Sequence, residues 1–141
     1  MTKKSILLVD DEQSFLEPLA DALEYEGYRV LKARTAEQAL AILHTEAIDL
    51  VTIDIMLEPG KSLADKVASN RAGIYLCGEV RRLYPFIDAF CISVVSDVSV
   101  IRSVEALGVR FLRKGETPLR IVLNMIRSRL TGFAYSTRDD A

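Results

Sequence analysis

The sequence has little of what would build a disulfide scaffold, a metal finger, a membrane span or a nucleic-acid surface. It holds two cysteines, Cys77 and Cys91, each inside an apolar stretch and without ligand-like spacing, so a disulfide framework and a zinc site are both excluded and reduced buried thiols are expected. The only histidine, His44, falls at a predicted helix end, which leaves the chain without a phosphodonor histidine of its own. There is no dense Lys/Arg block, and a formal charge of -2 offers no clustered positive surface to phosphates, so no nucleic-acid contact is expected. No apolar run approaches the length of a bilayer, and the run at 6–9 is cut at once by Asp10, Asp11 and Glu12, so neither a membrane span nor a signal peptide is expected. A cytoplasmic protein fits these absences.

What is present is alternation. Short apolar runs at 6–9, 28–33, 50–53, 89–94 and 109–112 read as buried strands, and segments of helical period follow each of them. Phe15, Leu16, Leu19, Ala20 and Leu23 share one helical face, with Ser14 and Glu17 spaced as a capping box and Gly27 as a left-handed stop. Thr35 and Gln38 form a second such box, further helices are predicted over 73–83 and 98–107, and Thr117-Pro118 opens a last one reaching about residue 130. Five βα units predict an α/β, doubly wound, five-stranded parallel sheet of order 2-1-3-4-5 (flavodoxin-like), with ligands at the carboxyl ends of the strands. The expected domain runs over 1–133, followed by a polar, frayed tail at 134–141. The connection at 55–72 is long for a βα loop: Ser62, Leu63, Asp65 and Val67 could make a capped helical turn, and Lys61, Lys66 or Arg71 could serve a lid or partner contact, although a solvated insertion is the simpler expectation.

Asp10, Asp11 and Asp54 each end a predicted strand, the first and third, which neighbour each other in such a sheet. Three converging carboxylates require protonation or a hard cation with oxygen ligands, and Mg²⁺ suits them best. Lys114 ends the fifth strand and Ser93 lies near the end of the fourth, so an ammonium and a hydroxyl can face the carboxylates, as phosphoryl transfer requires. Asp54 is then a carboxylate nucleophile.

Val9-Asp10-Asp11-Glu12, Asp54 within Thr52-Ile53-Asp54-Ile55-Met56, Ser93, and Phe111-Leu112-Arg113-Lys114 together resemble a response-regulator receiver domain of two-component signal transduction, over roughly residues 5 to 131. The resemblance implies that Asp54 is the phosphoacceptor, that Asp11 and Asp54 ligate Mg²⁺ directly together with the Met56 backbone carbonyl, and that Asp10 acts mainly through water. It implies that Lys114 pairs with a phosphoryl oxygen and that Ser93 and Phe111 move together as a switch. It further implies a histidine kinase or histidine phosphotransfer protein as donor, and a downstream protein target or a second copy of the chain at the face of the fourth helix, fifth strand and fifth helix. Val98 and Ile101 are candidates for apolar surface there. No enzymatic turnover is expected beyond Mg²⁺-dependent autophosphotransfer and slow self-dephosphorylation, and nothing after the fifth helix is expected to build an output domain.

Three positions depart from the family's usual pattern. Lys114 precedes Gly115 instead of a cis-proline, Val94 is bulkier than the usual Ala or Gly, and Met56 lacks the polar group that orients water in some members. The alternatives are a phosphorylation-independent pseudo-receiver acting as an interaction module, and a haloacid-dehalogenase-type phosphatase, which requires an Asp-x-Asp spacing that Asp10-Asp11 lacks.

Overall fold

The computed structural model describes residues 3–57, 59–61, 63 and 72–131. The strands are β1 (Ser5–Val9), β2 (Arg29–Ala33), β3 (Leu50–Ile53), β4 (Asp88–Ser93) and β5 (Arg110–Arg113), and the helices are α1 (Gln13–Tyr25), α2 (Ala36–Thr45), α3 (Ala72–Leu83), α4 (Val98–Glu105) and α5 (Leu119–Thr131). The sheet is wholly parallel, in the order β2-β1-β3-β4-β5.

Period-two alternation with both faces covered explains why the central strands are largely apolar. Ile6 and Leu8 point to the face covered by Leu16, Leu19 and Leu23 of α1 and Val122 and Ile126 of α5. Leu7 and Val9 point to the other face, with Ala36, Ala39 and Leu43 of α2, Leu76 and Val80 of α3, and Val104 of α4. A strand buried on both faces has no polar side to show. Winding outward in both directions from β1 and β3 puts the switch point between those two strands, where Val9 is in register with Ile53.

Local signals differ in how they are used. The Thr35 hydroxyl accepts the Gln38 N–H at 3.1 Å, and Gln38 reaches back to the Arg34 N–H at 2.8 Å, so the second capping motif forms with its return bond one residue early. The box expected from Ser14 and Glu17 does not form: α1 starts earlier, its N-cap is Glu12 without a side-chain cap, and Glu17 pairs with Lys32. β4 and β5 lie one residue away from their expected limits, which leaves Val94 outside the ladder and 63% exposed. Helix α4 ends at Glu105, two residues short of expectation, and Gly108 makes the turn at φ +82°. No helix among the described residues is long and apolar enough to cross a membrane.

In the connection after β3, Leu57 and Pro59 are buried, the Glu37 N–H donates to the Pro59 carbonyl at 3.0 Å, and Leu63 packs on the α2/α3 side of the core. This first part is therefore seated on the start of α2, while Lys61 is exposed. The turn proposed for Ser62, Asp65 and Val67, the contacts proposed for Lys66 and Arg71, and the tail at 134–141 lie outside the described residues.

Candidate phosphoacceptor site

Register assembles the site. Because Val9 faces Ile53, the next residues on both strands, Asp10 and Asp54, leave the sheet side by side, and their backbone N–H groups still extend the ladder to Ala33 and Val9 at 3.0 Å. Asp10, Asp11 and Asp54 each place a carboxylate oxygen so that all three lie within 4.8 Å of one another. Asp10 and Asp54 are buried and Asp11 is exposed.

One ammonium answers them. Lys114 leaves β5 through a backbone bond from its N–H to the Ser93 carbonyl at 3.0 Å, which aligns the ends of β4 and β5. Its Nζ lies 2.7 Å from Asp10 Oδ2, 2.9 Å from Asp54 Oδ2 and 3.0 Å from Glu12 Oε1, and 4.8 Å from the centre of the Phe15 ring. Only 8% of the Lys114 side chain is exposed. Burial alone would lower the affinity of this amine for its proton, but the hydrogen bonds to Asp10 and Asp54 outweigh it and hold the ammonium well above its ordinary range. Asp10 shows the opposite balance: burial raises its carboxyl above the usual value, and the bonds from Lys114 and the Glu12 N–H only partly oppose it.

Asp10 and Asp54 inside and the exposed Asp11 and Glu12 at the rim leave more negative charge than the one ammonium compensates, and the oxygen-only donor set of the three aspartates suits a hard divalent cation. The Asp54 carboxylate is further fixed by the Met56 N–H, which donates to Oδ1 at 3.0 Å, while the Met56 side chain is half exposed.

The remaining expected residues are nearby but not all engaged. Ser93 is fully buried at the end of β4, and its hydroxyl accepts the Val95 N–H at 3.4 Å, with no bond to Asp54. Phe111 is half-buried against the core on the α3/α4 side, in register with Cys91. Gly115 takes φ +85° and has open space where a Cβ would stand.

Three contributors were not visible as such in the sequence. Glu12 and Phe15 both contact Lys114, and only the proximity of Glu12 to Asp11 hinted at a role. Gly73 is the third: a Cβ there would lie 2.2 Å from the Asp54 carbonyl oxygen and 2.3 Å from Ile55 Cα, and the Gly73 N–H donates to the Ile55 carbonyl at 3.2 Å. The start of α3 therefore rests directly on the backbone that carries Asp54.

Comparison with known proteins agrees with this arrangement. The family model described as the response regulator receiver domain matches residues 6–125. The chain is 45% identical over 62 residues to the phosphate regulon transcriptional regulatory protein PhoB of Pseudomonas aeruginosa, covering 44% of this chain and 27% of that protein. It is 40% identical over 58 residues to the transcriptional regulatory protein YvrH of Bacillus subtilis, covering 40% of this chain and 24% of that one. The matched stretch is thus about a quarter of these relatives' length. Among solved structures, a CheY-like response regulator receiver domain protein from Methanospirillum hungatei superposes with a TM-score of 0.79 at 24% identity, over 93% of this chain and 96% of that one. The BeF3-activated DrrB receiver domain gives 0.74 at 20% identity, over 92% and 99%. With a family match along most of its length and the sheet order and carboxyl-end acidic cluster described above, this chain belongs to the response regulator receiver domain family.

Proposed function

We propose that the chain is a phosphoacceptor of a two-component phosphorelay, in which Asp54 takes a phosphoryl group in a Mg²⁺-dependent reaction and the added charge switches a partner-binding surface. The observation that carries this reading is the buried Lys114 ammonium shared between Asp10 and Asp54 beside Asp11. An Asp54 carboxylate oxygen attacks phosphorus, an O–P bond forms as the donor's N–P bond breaks, and the leaving imidazole nitrogen takes a proton from water. Lys114 moves from the carboxylate to a phosphoryl oxygen, and Met56 N–H keeps the acyl phosphate oriented. Mg²⁺, held by Asp11, Asp54 and the Met56 carbonyl and through water by Asp10, would supply a second positive charge against the phosphoryl oxygens.

The switch follows from what holds the neighbouring segments. Among the described residues the Ser93 hydroxyl has only a long bond from the Val95 N–H to give up in turning toward a phosphoryl oxygen, and Phe111 lies on the adjacent strand. Helix α4 fully buries only Val104, with Val100 packed partly against the same core, so it is held less firmly than α1 or α3. Val98, 58% exposed, and the half-buried Ile101 would lie on the output or dimer face. The donor is a histidine kinase or histidine phosphotransfer protein, and the readout is a downstream protein; no nucleic-acid contact is assigned to these residues. The only turnover assigned is the transfer onto Asp54 and the slow hydrolysis of the acyl phosphate, which restores the carboxylate and releases inorganic phosphate, since Met56 brings no polar side chain to orient the attacking water.

Labelling with acetyl phosphate tests the reading. Wild type should take up label with Mg²⁺ and lose the capacity in EDTA, and Asp54→Asn should take up none. Label surviving that substitution sinks the mechanism.

A further inference from the structure

The start of α1 reaches across to Lys114. Glu12, the N-cap of α1, and Phe15, three residues on, both meet the ammonium: Glu12 Oε1 stands 3.0 Å from Nζ and the centre of the Phe15 ring 4.8 Å. An ammonium has three N–H donors, and here three carboxylates receive them, Asp10 at 2.7 Å, Asp54 at 2.9 Å and Glu12 at 3.0 Å. Glu12 also closes a ring of bonds, because its backbone N–H donates to Asp10 Oδ1 at 2.9 Å while Asp10 Oδ2 and the Glu12 carboxylate share the same ammonium. Phe15 is half-buried and packs on the core beside Leu16 and Leu19, so its ring is held in place independently of the cation. The backbone after Lys114 offers no comparable restraint: the side chain is a flexible stem, and Gly115 follows it at φ +85° with open space where a Cβ would stand.

On the reading of Asp54 as the phosphoacceptor, we propose that Glu12 and Phe15 are positioning residues for phosphoryl transfer, a clamp on the start of α1 that holds the Lys114 ammonium over Asp54. When a phosphoryl group reaches Asp54, one N–H changes acceptor, the one directed at Asp54 Oδ2, while those to Asp10 and Glu12 persist and fix where it points. A charge stabilises the transition state best when it is in place beforehand, because no reorganisation is then needed at the moment of transfer. The ring contributes in two ways: its negative face attracts the cation, and its bulk keeps water off that side of the ammonium, which strengthens the attraction. Without Glu12 the third N–H turns to water and draws the ammonium toward the rim, and without the ring the stem is free to swing the same way. In either case the ammonium spends less of its time where a phosphoryl oxygen would meet it.

Lysine side-chain NMR on the whole chain reads the clamp directly, and acetyl-phosphate labelling at saturating Mg²⁺ reads its consequence. In wild type the ε-methylene signal, assigned through Lys114→Arg, should be displaced upfield of the other lysines by the Phe15 ring. Phe15→Leu should remove the displacement and slow labelling roughly tenfold, the factor for losing a desolvated cation–π contact. Phe15→Tyr keeps the ring, so it should retain the displacement and label within about twofold of wild type. Glu12→Ala keeps the backbone N–H to Asp10 and loses no side-chain cap, so it should fold normally, yet speed exchange of the Lys114 ammonium protons with water and slow labelling several-fold. No displaced lysine signal in wild type, wild-type labelling by Phe15→Leu or Glu12→Ala, or labelling by Phe15→Tyr as slow as by Phe15→Leu overturns the proposal. A wild type that shows the displaced signal and takes up no label refutes the phosphoacceptor reading alone, because the clamp on Lys114 is then seen without it.

Discussion

Substituting Gly73 by alanine adds one methyl group where the backbone under Asp54 already stands. The new Cβ would sit 2.2 Å from Asp54 O, 2.3 Å from Ile55 Cα and 2.7 Å from Ile55 O, all backbone atoms that cannot swing aside as a side chain would. Reaching an ordinary contact of about 3.4 Å requires α3 or the Asp54–Ile55 segment to move by about 1 Å. Overpacking of this kind costs about 1–3 kcal/mol, and rigid partners place it at the upper end. The helix propensity of alanine over glycine returns at most about 1 kcal/mol. The net expectation is a loss of roughly 2 kcal/mol, together with slower phosphorylation of Asp54, since misplacement by about 1 Å can cost a factor of about 100 in rate. Urea unfolding reads the first quantity and acetyl-phosphate labelling the second. Gly78 supplies the control: it lies in the same helix with nothing within 4 Å of its would-be Cβ, so Gly78→Ala should gain about 0.5–1 kcal/mol and leave labelling unchanged. If Gly73→Ala is as stable as Gly78→Ala and labels at the wild-type rate, α3 does not rest on the Asp54 backbone and the reasoning fails.

Further predictions concern charge. Lys114→Ala removes the ammonium from Asp10, Asp54 and Glu12 and should cost the metal-free protein roughly 3 kcal/mol, the scale for orphaning a buried ionic partner; saturating Mg²⁺ should recover much of this in thermal unfolding, and equal losses with and without Mg²⁺ would contradict the charge balance described here. For wild type, Mg²⁺ at a hundredfold excess over its dissociation constant should stabilise the fold by about 2.7 kcal/mol, and calorimetry should show that Asp11→Asn has lost this shift. On α3, hydrogen bonding from Arg82 holds the Glu79 carboxyl below its ordinary 4.5. A depressed folded pKa gives stability that is present above the unfolded value and lost as pH falls through the folded one, so the small advantage of wild type over Glu79→Gln at neutral pH should shrink below about 4.5 and vanish in stronger acid. An advantage that persists unchanged into acid would show that the pair contributes nothing through its charge.

The fold was legible because its determinants are local and repeated. Apolar runs such as 6–9 carry no polar face, and only a sheet covered on both sides accepts them; helices such as α1 declare the face they bury through Leu16, Leu19 and Leu23. Boundaries were less legible where one residue had two uses. Glu12 stands at the N-cap of α1 and its carboxylate bonds Lys114, so it gives the helix no side-chain cap, and because α1 already runs from Gln13 the Ser14 and Glu17 spacing falls inside the helix and forms no box. Val94 likewise continues an apolar run on paper, yet the sheet ends at Ser93 and exposes it.

The candidate site was legible for a related reason: charge at a strand end is conspicuous when the strand is otherwise apolar, as for Asp10 and Asp54, whereas Lys114 follows a strand that already carries Arg110 and Arg113 and is marked by its place at the carboxyl end of the sheet. What the sequence does not carry is distance across the fold. Gly73 and Gly78 are five positions apart in one helix, and propensity charges both the same entropic cost. Only the tertiary contact separates them, because one faces open space and the other lies against the carbonyl of Asp54. The position of Asp54 is therefore set from two sides, by β3 through its ladder bond to Val9 and by α3 through the absence of a methyl group, and the second of these is a constraint that no pattern of charges or apolar residues could announce.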